Sequence, residues 1–72
     1  MSDSVDQQIG ARIRCLRKKR TGLSQNGFAC QIGIDRSYFA TIEQGKHSAT
    51  LQMLARISQG LGVSLQELFE GL

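Results

Sequence analysis

Cysteine is scarce in this chain and histidine scarcer: Cys15, Cys30 and His47 are the whole supply in 72 residues. A small secreted scaffold carries four, six or eight cysteines, so two exclude that class. A zinc site needs four well-spaced ligands, which three candidates without a CxxC pair do not supply. No metal and no cofactor are expected. Cys15 and Cys30 are read instead as small apolar residues on helix faces, reduced in a cytosol. No apolar run approaches the roughly 20 residues of a membrane helix, and the N-terminus is polar and acidic, unlike a signal peptide. A cytoplasmic protein is expected. Catalytic chemistry lacks its parts too: there is no nucleophile–base pair, no phosphate-cradling glycine loop, and no carboxylate beside His47 in sequence. The chain is not read as an enzyme.

Negative charge is missing from one long stretch, with no acidic residue between Asp6 and Asp35. Into that gap fall Arg12, Arg14, Arg17, Lys18, Lys19 and Arg20, six of the nine basic residues. A single-sign field of this kind suits polyanions, nucleic acid first and an anionic membrane surface second. The run by itself is equally compatible with a solvated helix face that binds nothing. An apolar content of 40% is too high for disorder. The length allows one domain, residues 1–72. A chain this short buries only about 60–65% of its unfolded surface and gains from oligomerising.

No stretch alternates like a strand, and periodicity is helical throughout. Val5, Ile9, Ile13, Leu16 and Arg20 mark a first helix over 5–20, with Asp3, Ser4 and Asp6 suited to its start and the basic run to its end. Ser24 caps a second helix to Ile32, whose inner face is Phe28, Ala29 and Ile32. Gly33 takes the left-handed position that turns the chain, and Ile34 plugs the turn. Asp35 caps a third helix to Gln44, with Phe39 and Ile42 inward and Gly45 after it. Thr50 caps a fourth helix carrying Leu51, Leu54, Ala55 and Ile57, which Gly60-Leu61-Gly62 closes. Ser64 opens a fifth, with Glu67 completing a capping box and Leu65, Leu68 and Phe69 on its face; helices four and five together cover about 50–70. The expected fold is all-α, with five helices around one core.

The two short helices about Gly33 have the form of a helix-turn-helix, though spacing alone does not distinguish this from other helical hairpins. The residues do. Leu23-Ser24-Gln25, Phe28-Ala29, Ile32-Gly33-Ile34, Ile42-Glu43-Gln44-Gly45-Lys46, Leu51, Leu54 and Leu61 through Phe69 fall in the order of a known pattern. From Ile9 to Phe69 the chain resembles the lambda-repressor-like helix-turn-helix domains of phage repressors and Cro proteins. With so little appended, it is most similar to stand-alone members such as restriction–modification controller proteins and small phage or plasmid repressors.

The resemblance implies a sequence-specific transcriptional regulator that binds double-stranded DNA as a homodimer. Its two recognition helices would sit on a palindrome with half-sites about 34 Å apart. The third helix would enter the major groove, which gives Arg36, Ser37 and Thr41 to base edges, with Tyr38 and Ala40 beside them. Arg36 has the fork that reads guanine, Ser37 and Thr41 offer a hydroxyl or a methyl, and Tyr38 either reaches DNA or packs on the core. Gln25, Gln44, Lys46 and His47 are the expected phosphate contacts, with Arg17 and Lys18 from the basic run. In the family the equivalent of Glu43 pairs with an arginine of the first helix, here Arg17, so Glu43 is structural rather than catalytic. Met53, Leu65, Leu68, Phe69 and Leu72 exceed what a small core needs; part of the set is assigned to a dimer face, the alternative being that all pack internally.

Departures from the family pattern bear on function. The segment before Ser24 is one residue longer than in many relatives, which strains the expected Arg17–Glu43 pairing. Gly27 lies within the second helix, at a cost of about 0.5–1 kcal/mol against alanine. The loop at His47-Ser48-Ala49-Thr50 lacks the family's common proline. RNA polymerase is a further partner of several repressors, met through acids on the first motif helix, where this chain has Asn26, Gly27 and Gln31. An antitoxin-like module that binds a partner protein as well as DNA is the competing reading, with only three residues beyond Phe69 for a neutralising extension.

Overall fold

The computed structural model describes residues 4–72 and, among them, five helices and no strand: α1 (Val5–Arg20), α2 (Gln25–Ile32), α3 (Arg36–Glu43), α4 (Leu51–Leu61) and α5 (Leu65–Leu68). The expected starts are observed. Ser4, Ser24, Asp35, Thr50 and Ser64 each accept the backbone N–H three residues on, which satisfies a donor that the first helical turn leaves without a partner. At α1 and α5 the Gln7 and Glu67 side chains reach back to the cap backbone and complete capping boxes. Asp3 lies outside the described residues.

Two joints set the geometry of the central helices. Between α1 and α2, the Thr21 hydroxyl donates to Arg17 O at 2.7 Å and accepts from Leu23 N at 3.0 Å. This local turn closes α1 and leads the chain into α2. Between α2 and α3, Gly33 sits at φ 75° and Ile34 N–H donates to Ala29 O at 3.0 Å. A left-handed residue here closes α2 and swings the chain into α3, and glycine adopts it without steric penalty.

The core joins Ile13 and Leu16 of α1, Phe28 and Ala29 of α2, Phe39 and Ile42 of α3, Leu54, Ile57 and Leu61 of α4, then Val63 and Leu68. Phe28 and Phe39 meet at 5.2 Å with tilted rings, a favourable aromatic arrangement that ties the two motif helices together. Where α1 crosses the end of α3, backbone meets backbone. A Cβ on Gly10 would lie 2.5 Å from Ile42 O and 2.6 Å from Glu43 O, so only glycine fits.

Several expectations are corrected. Gly60 does not help close α4; the helix runs through it and ends at Gly62, and a Cβ on Gly60 would fall 2.5 Å from Ile32 Cγ2. Its small size lets α2 and α4 approach. Val5 and Leu51, the first residues of their helices, are exposed, because the apolar stripe continues past the reach of the packed neighbours. Cys15 and Cys30 are also exposed, on the outer faces of α1 and α2. Leu68 is fully buried within the subunit and belongs to the core, not to a dimer face. Among the described residues no helix is long and apolar enough to cross a membrane.

The basic run is partly absorbed by the fold. Arg12 donates to Glu67 O at 3.0 Å and pairs with Glu70 at 3.8 Å, while Arg20 pairs with Glu67 at 3.4 Å. These exposed pairs contribute little stability. They link α1 to α5 and the residues just after it and offset part of the outward positive charge.

Candidate nucleic-acid interface

The inward pull of Phe39 and Ile42 sets what α3 presents. Arg36 and Ser37 are exposed at its N-terminal end, Gln44 is exposed at its C-cap, and Tyr38, Ala40 and Thr41 are half-buried. Thr41 donates its hydroxyl proton to Tyr38 O at 2.6 Å, leaving its methyl and oxygen lone pairs to a partner. Tyr38 packs its ring partly against the core and meets His47 edge-on at 5.9 Å. That contact joins the start of α3 to the loop that follows it. In this loop Lys46 and His47 are exposed, and Ser48 donates to Asp6 of α1 at 2.5 Å.

The other end of the candidate surface is the start of α2. Gln25 is half-buried there, and its Nε2 donates to Glu43 Oε1 at 2.8 Å. Glu43 is also paired with Arg17, whose Nε lies 2.8 Å from Oε2 and whose Nη2 lies 3.2 Å from Oε1. The remaining guanidinium nitrogen, Nη1, donates to Leu23 O at 2.7 Å. The structure thus brings Arg17 and Glu43 together as the resemblance implied. The same geometry removes Arg17 from the phosphate contacts: it is 5% exposed, with its donors committed to Glu43 and Leu23. Lys18 is exposed. Reading the sequence alone missed the Gln25–Glu43 bond and the Asp6–Ser48 bond. The first had a signal: Glu43 shares the inward side of α3 with Ile42, and a buried carboxylate needs more than one donor.

On α4 and its cap, Thr50, Gln52, Met53, Ala55, Arg56 and Gln59 line a shallow, open depression. Leu51 stands exposed beside it. Met53, Leu65 and Phe69 are half-buried against the core, and Leu72 is half-exposed.

The geometry is therefore two short helices at a tight left-handed turn, the second with its polar end open. A family model described as a helix-turn-helix domain matches residues 8–70. The chain belongs to this family. The helix-turn-helix match extends to individual relatives along nearly the full length. Control protein C.MunI of Mycoplasma sp is 46% identical over 70 residues, covering 97% of this chain and 95% of that protein. Control protein C.BamHI of Bacillus amyloliquefaciens is 27% identical over 70 residues, covering 97% and 86%. Among solved structures, the restriction-modification controller protein C.AhdI from Aeromonas hydrophila superposes with a TM-score of 0.80 at 34% identity, over 86% of this chain and 92% of that one. The five-helix arrangement is thus that of a helix-turn-helix domain.

Proposed function

We propose that this chain is a DNA-binding transcriptional regulator of the restriction–modification controller type, acting as a homodimer on a palindromic operator and without enzymatic activity of its own. The observation that carries the reading is the open N-terminal end of α3, where Arg36 and Ser37 stand exposed beside a motif held rigid by Phe28 and Phe39. The likeness to controller proteins along almost the whole chain supports the same class.

In this reading Arg36 reads a base edge and Thr41 and Ser37 make short contacts next to it, while Lys46, His47, Gln44 and Lys18 follow the backbone. Arg36→Ala should lower affinity for the chain's own upstream DNA by about 1–3 kcal/mol more than for scrambled DNA. Lys46→Ala should weaken both duplexes alike and reduce the slope of log K against log salt by about 0.9 per subunit. Titrations at two salt concentrations separate the outcomes. An equal loss on both duplexes for Arg36→Ala would make that residue a phosphate contact.

The dimer face is assigned to α4 and α5: Met53, Leu65, Phe69 and Leu72, joined by Leu51 at the edge of the α4 groove. Leu51→Glu should raise the dimer dissociation constant at least tenfold in sedimentation velocity while the far-ultraviolet circular dichroism of the chain stays unchanged, since Leu51 is 65% exposed and its replacement leaves the core intact. Unchanged association would move the interface to another face.

A further inference from the structure

We propose that Glu43 is a positioning residue for DNA binding, acting through Gln25 as well as bracing Arg17; the inference rests on the DNA-binding reading above. Glu43 receives three hydrogen bonds on two oxygens, from Arg17 Nε, Arg17 Nη2 and Gln25 Nε2. A carboxylate flanked by a guanidinium only accepts, so the face of the Gln25 amide turned toward it is the NH2 group. That assignment follows from chemistry and removes the usual ambiguity between amide nitrogen and oxygen.

An NH2 group has two protons in one plane. One is held by Glu43, and the other is directed away from it. Gln25 is the first residue of α2, where the first backbone N–H groups have no intrahelical acceptor and the helix dipole is positive. Glu43 thereby fixes the amide so that its second proton adds to this end of the helix as a donor for a phosphate oxygen. The neighbouring Arg17 offsets the carboxylate's charge, so the anchor does not repel the phosphate. Without Glu43 the Gln25 amide is unrestrained in the free protein, and DNA binding has to order it at a cost in side-chain entropy. Charge count is unaffected by what Gln25 does, because the amide is neutral.

The test is a mutant cycle on a random-sequence duplex, with Gln25→Ala, the pair Arg17→Leu and Glu43→Leu, which removes the anchor without changing net charge, and all three together, each also followed by thermal melting. Gln25→Ala should weaken binding about five- to tenfold without changing the salt slope. The apolar pair should weaken binding by a similar factor when Gln25 is present, and the triple variant should lose no more than Gln25→Ala alone. Should the apolar pair fail to fold, NMR of the wild-type protein decides: the two Gln25 side-chain NH2 protons should be widely separated in shift, and DNA should move the second of them most. Additive losses in the cycle, or a Gln25 NH2 pair with the shifts of a freely rotating amide, would overturn the proposal. If the wild-type chain binds no duplex while the separated NH2 signals persist, the DNA reading fails and the Glu43 anchor stands as a structural bond only.

Discussion

Replacing Arg17 with leucine should lower the unfolding free energy by about 3–5 kcal/mol. The size follows from what is left behind. Glu43 is 6% exposed and would keep its carboxylate buried with the Gln25 amide as its remaining donor, while Leu23 O loses its partner. A domain of this length has a total stability of roughly 4–11 kcal/mol, so the single change consumes much of it. Urea denaturation followed by circular dichroism measures the loss. The double variant Arg17→Leu, Glu43→Leu should recover most of it, since an apolar pair carries no desolvation penalty. A loss under 1 kcal/mol for Arg17→Leu would mean that water reaches Glu43 readily and that the pair does not brace α1 against α3.

Gly10→Ala should be nearly as damaging, for a steric reason. Intrinsic helix propensity favours alanine over glycine by about 1 kcal/mol. Packing opposes it: the new methyl would fall 2.5 Å from Ile42 O and 2.6 Å from Glu43 O, both backbone atoms that no rotamer change can move. Overpacking of well-ordered sites costs about 1–3 kcal/mol, and the upper part of that range applies where backbone is the obstacle. The melting temperature should fall by about 10–15 °C, at roughly 4–8 °C per kcal/mol for so small a domain. Because the clash falls on the last turn of α3, DNA affinity measured well below the melting temperature should fall too. Gly27→Ala serves as the comparison. There the nearest obstacle is the Ser24 hydroxyl at 3.2 Å, and the effect should be much smaller. A melting temperature for Gly10→Ala equal to or above that of the unaltered protein would show that α1 can lift from α3 without penalty.

These two variants also mark where reading the residues succeeded and where it stopped. Helix starts were legible because each is announced by a side chain acting on its own neighbourhood; Ser24, Asp35, Thr50 and Ser64 need no tertiary context to cap. The helix-turn-helix was legible through Gly33 and the residues around it that match the family pattern, such as Leu23-Ser24-Gln25 and Glu43-Gln44-Gly45-Lys46. Burial at helix ends was not, since periodicity names a face but not how far along it a neighbour extends; Val5 and Leu51 look like core residues and are exposed, whereas Leu68 looked surplus and is buried. Close approach was invisible for a similar reason. Gly60 reads as a terminator, and nothing in the sequence singles out Gly10, until the crossing helices are placed against them. On the candidate interface, the family pattern together with residue type is what gives Arg36 and Lys46 their proposed roles, and both are exposed as those roles require. Arg17 could not be judged so, because a cation in a basic run becomes internal only when Glu43 and Leu23 O are brought to it.

The two thiols give the protein chemical handles. Cys15 and Cys30 are exposed on different helices and there are no other cysteines, so a maleimide dye can be placed on α1 or α2 by mutating one of them to serine. Neither lies on α3, so a fluorophore on either thiol leaves the exposed end of that helix clear. The same exposure lets air oxidation join separate chains covalently. Any measured self-association is therefore interpretable only with a reductant present, or with both thiols replaced.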